Sequence, residues 1–169
     1  MSTRPRVLLS CSAIVAVAFG CVPLAPRPIA GEPAPATPLV PGVYSGTAQC
    51  DLIITSPTGA QTIQEQNTAV SFEINERGVP IVLGEEVRVG RTVSIGELTG
   101  TYTRIQATPI GIVIHSELEG SVNSLTYSGT SIAEMSMTDA GNIDYDITVA
   151  YLNSAGFLYN TGCSIPLLP

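Results

Sequence analysis

The chain has no lysine and no tryptophan, a single histidine, and charged side chains at only 12% of its 169 positions. Each shortage removes a class of function. Binding to nucleic acid or to anionic headgroups rests on Lys and Arg neutralising phosphate. Here seven arginines face fourteen acids, for a formal net charge of −7. Two of those arginines, Arg4 and Arg6, stand at the extreme N-terminus, so from Cys21 onward five arginines oppose fourteen acids, a balance of −9. Nucleic acid is therefore not an expected partner. With one histidine, a catalytic triad would have to use His115, whose strand parity sets it on the polar side with Glu117 and Glu119. No G-x-S-x-G nucleophile turn accompanies it. Zinc chemistry lacks ligands for the same reason. Helical periodicity is also missing after residue 42, and the longest apolar run is too short to span a bilayer as a helix.

That run, Val7 to Phe19, is thirteen residues long and follows a basic start. As a helix it would cover about 20 Å, against the ~30 Å of a hydrocarbon core. A basic start, a short apolar core and small residues at its end form the pattern of a secretory signal, placed at residues 1–20. Its end, Ala18-Phe19-Gly20-Cys21, resembles the lipobox of bacterial lipoproteins, in which a small residue precedes a cysteine that receives diacylglycerol. The resemblance covers these four residues and the signal before them. It implies lipidation of Cys21 and a membrane anchor in the cell envelope. The alternative is simple secretion after cleavage at Ala16-Val17-Ala18. Cysteine arithmetic favours the anchor: Cys11 leaves with the signal, and cleavage after Ala18 would leave three cysteines, whereas lipidation of Cys21 leaves Cys50 and Cys163 to pair. An even count suits an oxidising compartment.

Residues 21–42 read as a tether. Seven of the twenty-one residues from Val22 to Gly42 are proline, which fixes φ and removes donors, so extended polyproline-like chain is expected. Its reach would be roughly 60 Å.

Residues 43–169 read as one all-β domain. Even positions from Tyr44 to Ile54 are mostly apolar. Val70, Phe72 and Ile74 alternate with polar neighbours, as do Ile110, Ile112 and Ile114 with Gly111, Val113 and His115. Leu125, Tyr127, Ala133, Met135 and Met137 share one parity in a long strand. Ile143, Tyr145, Ile147, Val149 and Tyr151 oppose Asp144, Asp146 and Thr148, and Phe157, Tyr159, Cys163 and Ile165 close the series. Turn residues fall between the runs, at Ser56–Gly59, Asn75–Gly78, Leu83–Glu85, Asp139–Asn142 and Asn153–Gly156. Together these predict an antiparallel meander of about eight or nine strands. A Cys50–Cys163 disulfide would bring the first and last strands together, because bridged cysteines need Cα atoms about 4.4 to 6.8 Å apart. That contact closes a meander into a barrel; a β-sandwich is the alternative. Gly42-Val43-Tyr44 resembles the G-x-aromatic opening of the lipocalin-type (calycin) barrels, which implies the same closed meander. The tryptophan and late arginine common in those barrels have no counterpart after Arg104.

Candidate chemistry is sparse. Asp144 with Asp146, Glu117 with Glu119, and Glu85 with Glu86 are carboxylate pairs at acid–base spacing, but the first two pairs lie on the polar parity, where solvation is their simplest use. Asp139, Asn142, Asp144 and Asp146 gather oxygen near one hairpin without the spacing of a calcium loop. No metal or cofactor is expected. The most suggestive feature is a run of small inward residues, Gly129, Ser131 and Ala133, beside Met135 and Met137, which could line a cavity for a small apolar ligand. The other expectation is an envelope protein binding a macromolecule through loops or an exposed face that carries Leu152 and Leu158.

Overall fold

The computed structural model describes Gly31 and residues 33–169, apart from 96 and 97. The expected signal at 1–20 and Cys21 lie outside the described residues. Ten antiparallel strands form one strongly curled, half-barrel sheet. They are β1 Gly42–Thr55, β2 Gln61–Ile74, β3 Pro80–Val82, β4 Glu85–Glu86, β5 Thr92–Ile95, β6 Leu98–Ala107, β7 Gly111–Val122, β8 Leu125–Met137, β9 Ile143–Asn153 and β10 Leu158–Leu167.

The spatial order is β4-β3-β2-β1-β10-β9-β8-β7-β6-β5. Every ladder but one joins strands adjacent in the chain, and the exception is β1 with β10. The expected meander is therefore present, and its first and last strands do pair. The two edges of the sheet are β4 and β5, which follow each other in sequence. Cys50 and Cys163 stand directly opposite in the β1–β10 ladder and form a disulfide with a Cα separation of 4.1 Å.

Turn chemistry sets the register. Gly59, Gly78, Gly141 and Gly156 have φ between 73° and 84° and donate their N–H groups back to Ser56, Asn75, Thr138 and Asn153. These are conformations that side chains with a Cβ resist. Between β7 and β8 the turn is made by Asn123 and Ser124, both at positive φ. This is the two-residue hairpin geometry that matches strand twist, and asparagine tolerates it well. The turn between β6 and β7 holds Ile110, which is exposed, so the alternation read from Ile110 begins one step later, at buried Ile112.

The core lies on the concave face towards one end. Ile165, Tyr145, Met135 and Ile112 succeed one another across four strands, and Leu167 and Ile143 form the next row. All six are buried. The ring of Phe72 meets Tyr145 edge-on, with centroids 4.8 Å apart. Part of the proline-rich stretch closes this end. Ala34 and Leu39 are both 2% exposed and belong to the core. Extended chain without proline N–H groups has few donors to satisfy, which suits it to lie across a barrel end. Its remaining polar groups find partners: Thr37 bonds through N–H to Arg77 and through its hydroxyl to Gly78, and Arg77 donates to the Ala34 carbonyl. Arg77 also pairs with Glu86 at 3.2 Å, tying this strap to β4.

Candidate functional site

Strand pairing sorts the concave face into rows. The row at the disulfide runs Gln66, Cys50, Cys163, Ile147, Ala133, Ile114 and Ile105. Two rows further from the core change character. One runs Gln64, Leu52, Thr161, Val149, Ser131, Ser116 and Tyr102. The next runs Thr62, Ile54, Tyr159, Tyr151, Gly129, Leu118, Gly100 and Val93. None of these fifteen positions carries a charge. Burial is uneven along them: Ser131, Ser116 and Leu118 are buried on β7 and β8, Leu52, Ile54, Tyr151, Tyr159 and Thr161 are half-buried, and Thr62 and Gln64 are exposed. The concave face is thus covered beneath β7 and β8 and open along β9, β10, β1 and β2.

Three tyrosines dominate the open part. Tyr151 and Tyr159 are direct cross-strand partners whose rings stack, with centroids 4.7 Å apart and planes 5° from parallel. Tyr127, one row further out, tilts against both at 6.0 and 6.2 Å. Such offset or tilted aromatic pairs are each worth about 0.5–1.5 kcal/mol beyond area burial. Gly129 makes the stack fit. A Cβ there would come within 2.5 Å of the Tyr151 Cα and 2.1 Å of the Ala150 carbonyl, so the strands can approach only without one. Tyr-Ser-Gly-Thr occurs both at 127–130 and at 44–47, and Gly46 likewise permits close approach, here to the Pro166 backbone.

Asn153, only 4% exposed, positions the cluster from below. Its Oδ1 accepts from the N–H groups of Ala155 and Phe157, which builds the β9–β10 turn. Its Nδ2 donates to the Tyr159 hydroxyl at 3.3 Å. One side chain therefore fixes both the turn and the ring. Burial, followed by the neighbouring phenols Tyr159 and Tyr127, raises the Tyr151 pKa above the ordinary phenol value. Tyr151 is neutral at physiological pH, and its hydroxyl keeps its proton to donate.

The residues expected to line a cavity share the concave parity of β8. Met135 and Ser131 are buried, Ala133 and Met137 pack against the core, and Gly129 touches Tyr151. Gly129 also floors a hollow of about 270 Å³, but its walls, Thr101, Glu117, Glu119 and Ser128, belong to the outer face. A second hollow, of about 240 Å³, lies at the seam between the edge strands and is lined by Val82, Glu85, Arg91, Val93 and Tyr102 among others. Glu85 and Arg91 form an ion pair there.

His115 sits opposite Arg104 in the β6–β7 ladder, beside a bulge. Burial and then that guanidinium lower its pKa, so it is neutral at pH 7. Asp144 and Asp146 are exposed, as are Glu117 and Glu119. Among the described residues no three His, Cys, Asp or Glu side chains converge as metal ligands. The tyrosine cluster was invisible to sequence reading as a site, since alternation alone cannot separate a ring that fills a core from one left at its open end. No protein-family model, no curated protein and no solved structure matches the chain.

Proposed function

We propose that this chain is a binding module of the cell envelope that takes its ligand on the open half of the concave face. The observation that carries this reading is the Tyr127–Tyr151–Tyr159 cluster, half-buried on a surface that continues the apolar core. A surface of aromatic rings with a few polar groups beside it is the usual make-up of a small-molecule site. Rigid strands hold these rings, with Asn153 and Gly129 fixing two of them. The envelope location rests on the signal read at 1–20 and the lipid-accepting Cys21, with membrane attachment through that lipid and the domain displayed beyond it. Binding in place of catalysis is supported by the outward, solvated placement of the Asp144–Asp146 and Glu117–Glu119 pairs, and by the engagement of Glu85 and Glu86 in ion pairs with arginine.

The test is native mass spectrometry of the protein purified from its own envelope, repeated after denaturation. A defined mass lost on denaturation, and absent from Tyr151→Ala, is the expected result. A mass retained by Tyr151→Ala would place the ligand elsewhere.

A second reading rests on the convex face. Leu152 and Leu158 are direct cross-strand partners there, 48% and 38% exposed. They present apolar surface suited to a macromolecular partner, and Ile63, 65% exposed, adds an apolar side chain to the same face on β2. Leu152→Asp with Leu158→Asp would abolish such an association and leave ligand on the concave face intact.

A further inference from the structure

We infer that the ligand of the concave face is a neutral carbohydrate, an inference that rests on the binding face proposed above. Three properties of the face select this chemistry. The first is its aromatic content. The C–H faces of a sugar ring are weakly positive and apolar, so they stack on the negative face of a tyrosine ring. The second is the kind of polar group beside the rings. Gln64 and Gln66 stand on β2 in concave register, two strands from β10, and both are exposed. Two strand spacings amount to about 10 Å, the span of a disaccharide. An amide offers two donors and an acceptor, and a hydroxyl offers both roles, which matches the paired donor and acceptor demand of vicinal sugar hydroxyls. Thr161 adds such a hydroxyl between them.

The third property is the absence of charge. No acid or base occupies the two outer rows, although the domain is strongly acidic and its convex strands carry Asp144, Asp146, Glu117 and Glu119. A site for a cationic ligand would place some of those acids beside the rings, and a site for an anionic one would need arginine. A purely apolar ligand leaves Thr62, Gln64 and Gln66 without a purpose on the concave side. A solvent-facing strand that pairs with β1 would normally alternate, yet β2 is exposed and largely polar on both faces from Gln61 to Thr68. Polar side chains on the concave parity of that stretch are what a sugar edge requires.

The experiment uses intrinsic tyrosine fluorescence, which no tryptophan masks. The oxidised full chain is titrated with hexasaccharides of glucose in α and β linkage, of xylose, and of N-acetylglucosamine. The inference expects saturable binding of at least one, unchanged between low and high NaCl. It expects at least a tenfold loss in Tyr151→Ala and a several-fold loss in Gln64→Ala/Gln66→Ala. The glutamine pair keeps the test valid if the tyrosine variant folds poorly, because both side chains are exposed. If no sugar binds but a fatty acid does, and Tyr151→Ala releases it, the carbohydrate inference is overturned and the binding face stands. Salt-sensitive binding of tetramethylammonium alone overturns it in the same way. If neither sugars, fatty acid nor tetramethylammonium binds, both readings fall.

Discussion

The two ends of the concave face use the same strands and the same alternation, yet one is filled and the other is open. Towards the core, Ile112, Ile143 and Leu167 are fully buried and the strap through Ala34 and Leu39 covers them. Away from it, the same strands carry Tyr151, Tyr159 and Thr161 half-exposed, and β2 presents glutamine and threonine in place of Val70, Phe72 and Ile74. The ladders that join β2, β1, β10, β9, β8 and β7 run through both ends, so their geometry does not make this difference, although β3 and β4 pair only beside the filled end. Side-chain size and polarity, row by row, together with the strap, decide where the half-barrel is packed and where it is left accessible.

The largest expected effects test the filled end. Ile112→Ala leaves a cavity among buried neighbours and should cost about 2–5 kcal/mol in denaturant unfolding. Equal stability in the variant would mean that this end is not the structural core. Removing the disulfide with Cys50→Ala and Cys163→Ala should cost a similar 2–5 kcal/mol, as expected for a bridge closing a long loop. The loop spans 113 residues. Calorimetry of oxidised and reduced protein measures the same quantity, and coincident transitions would contradict it.

Smaller effects test the open end. Tyr151→Ala removes a half-exposed ring and should cost only about 1–2 kcal/mol, while Gln64→Ala should stay within about 0.5 kcal/mol. If either matched Ile112→Ala in thermal unfolding, the contrast between the ends would collapse. Alkaline titration separates them independently. The pKa of Tyr145 is raised well above the usual range by burial and by Tyr102, and those of Tyr102 and Tyr151 are raised mainly by burial. A raised phenol pKa gives stability that is complete below pH ~10 and is lost as pH climbs through the folded value. Tyrosinate absorbance should therefore appear in two stages, with Tyr145 ionising only as the protein unfolds. The smallest effect concerns His115, whose lowered pKa means that the unfolded chain binds its proton first. Stability should decline slightly as pH falls below ~6.5, and His115→Gln should flatten that slope.

Much of the filled end was legible. The parity of Leu125 to Met137 corresponds to β8 along its whole length, and the turn residues at Ser56–Gly59, Asn75–Gly78, Asp139–Asn142 and Asn153–Gly156 stand between the strands they were expected to separate. The pairing of Cys50 with Cys163 followed from counting cysteines and agrees with the ladder. The open end was not legible for a physical reason. Apart from Ile63, Gln61 to Thr68 is polar on both faces, so it carries no period-two signal, although it pairs with β1 without a break from Ala48 to Thr55. Short β3 and β4 were hidden because two or three residues hold no measurable alternation. Ala34 and Leu39 were hidden because proline-rich chain looks solvated whether or not something covers it. In the candidate site, alternation puts Tyr151 on the apolar parity and turn chemistry puts Asn153 at a strand end, and neither pattern encodes the stack or the bond between Asn153 and Tyr159.

The order of strands also governs how the chain can reach this structure. Hairpins between neighbours need only short loops to close, so each costs little closure entropy. The β1–β10 ladder is different, because it waits on ends more than a hundred residues apart, as the disulfide separation of 113 records. Loop-closure entropy makes such a contact the slow one. A reduced chain must find it by search, after the hairpins on either side are in place. An oxidised chain carries that encounter with it through unfolding, and so begins each refolding with its last step already taken.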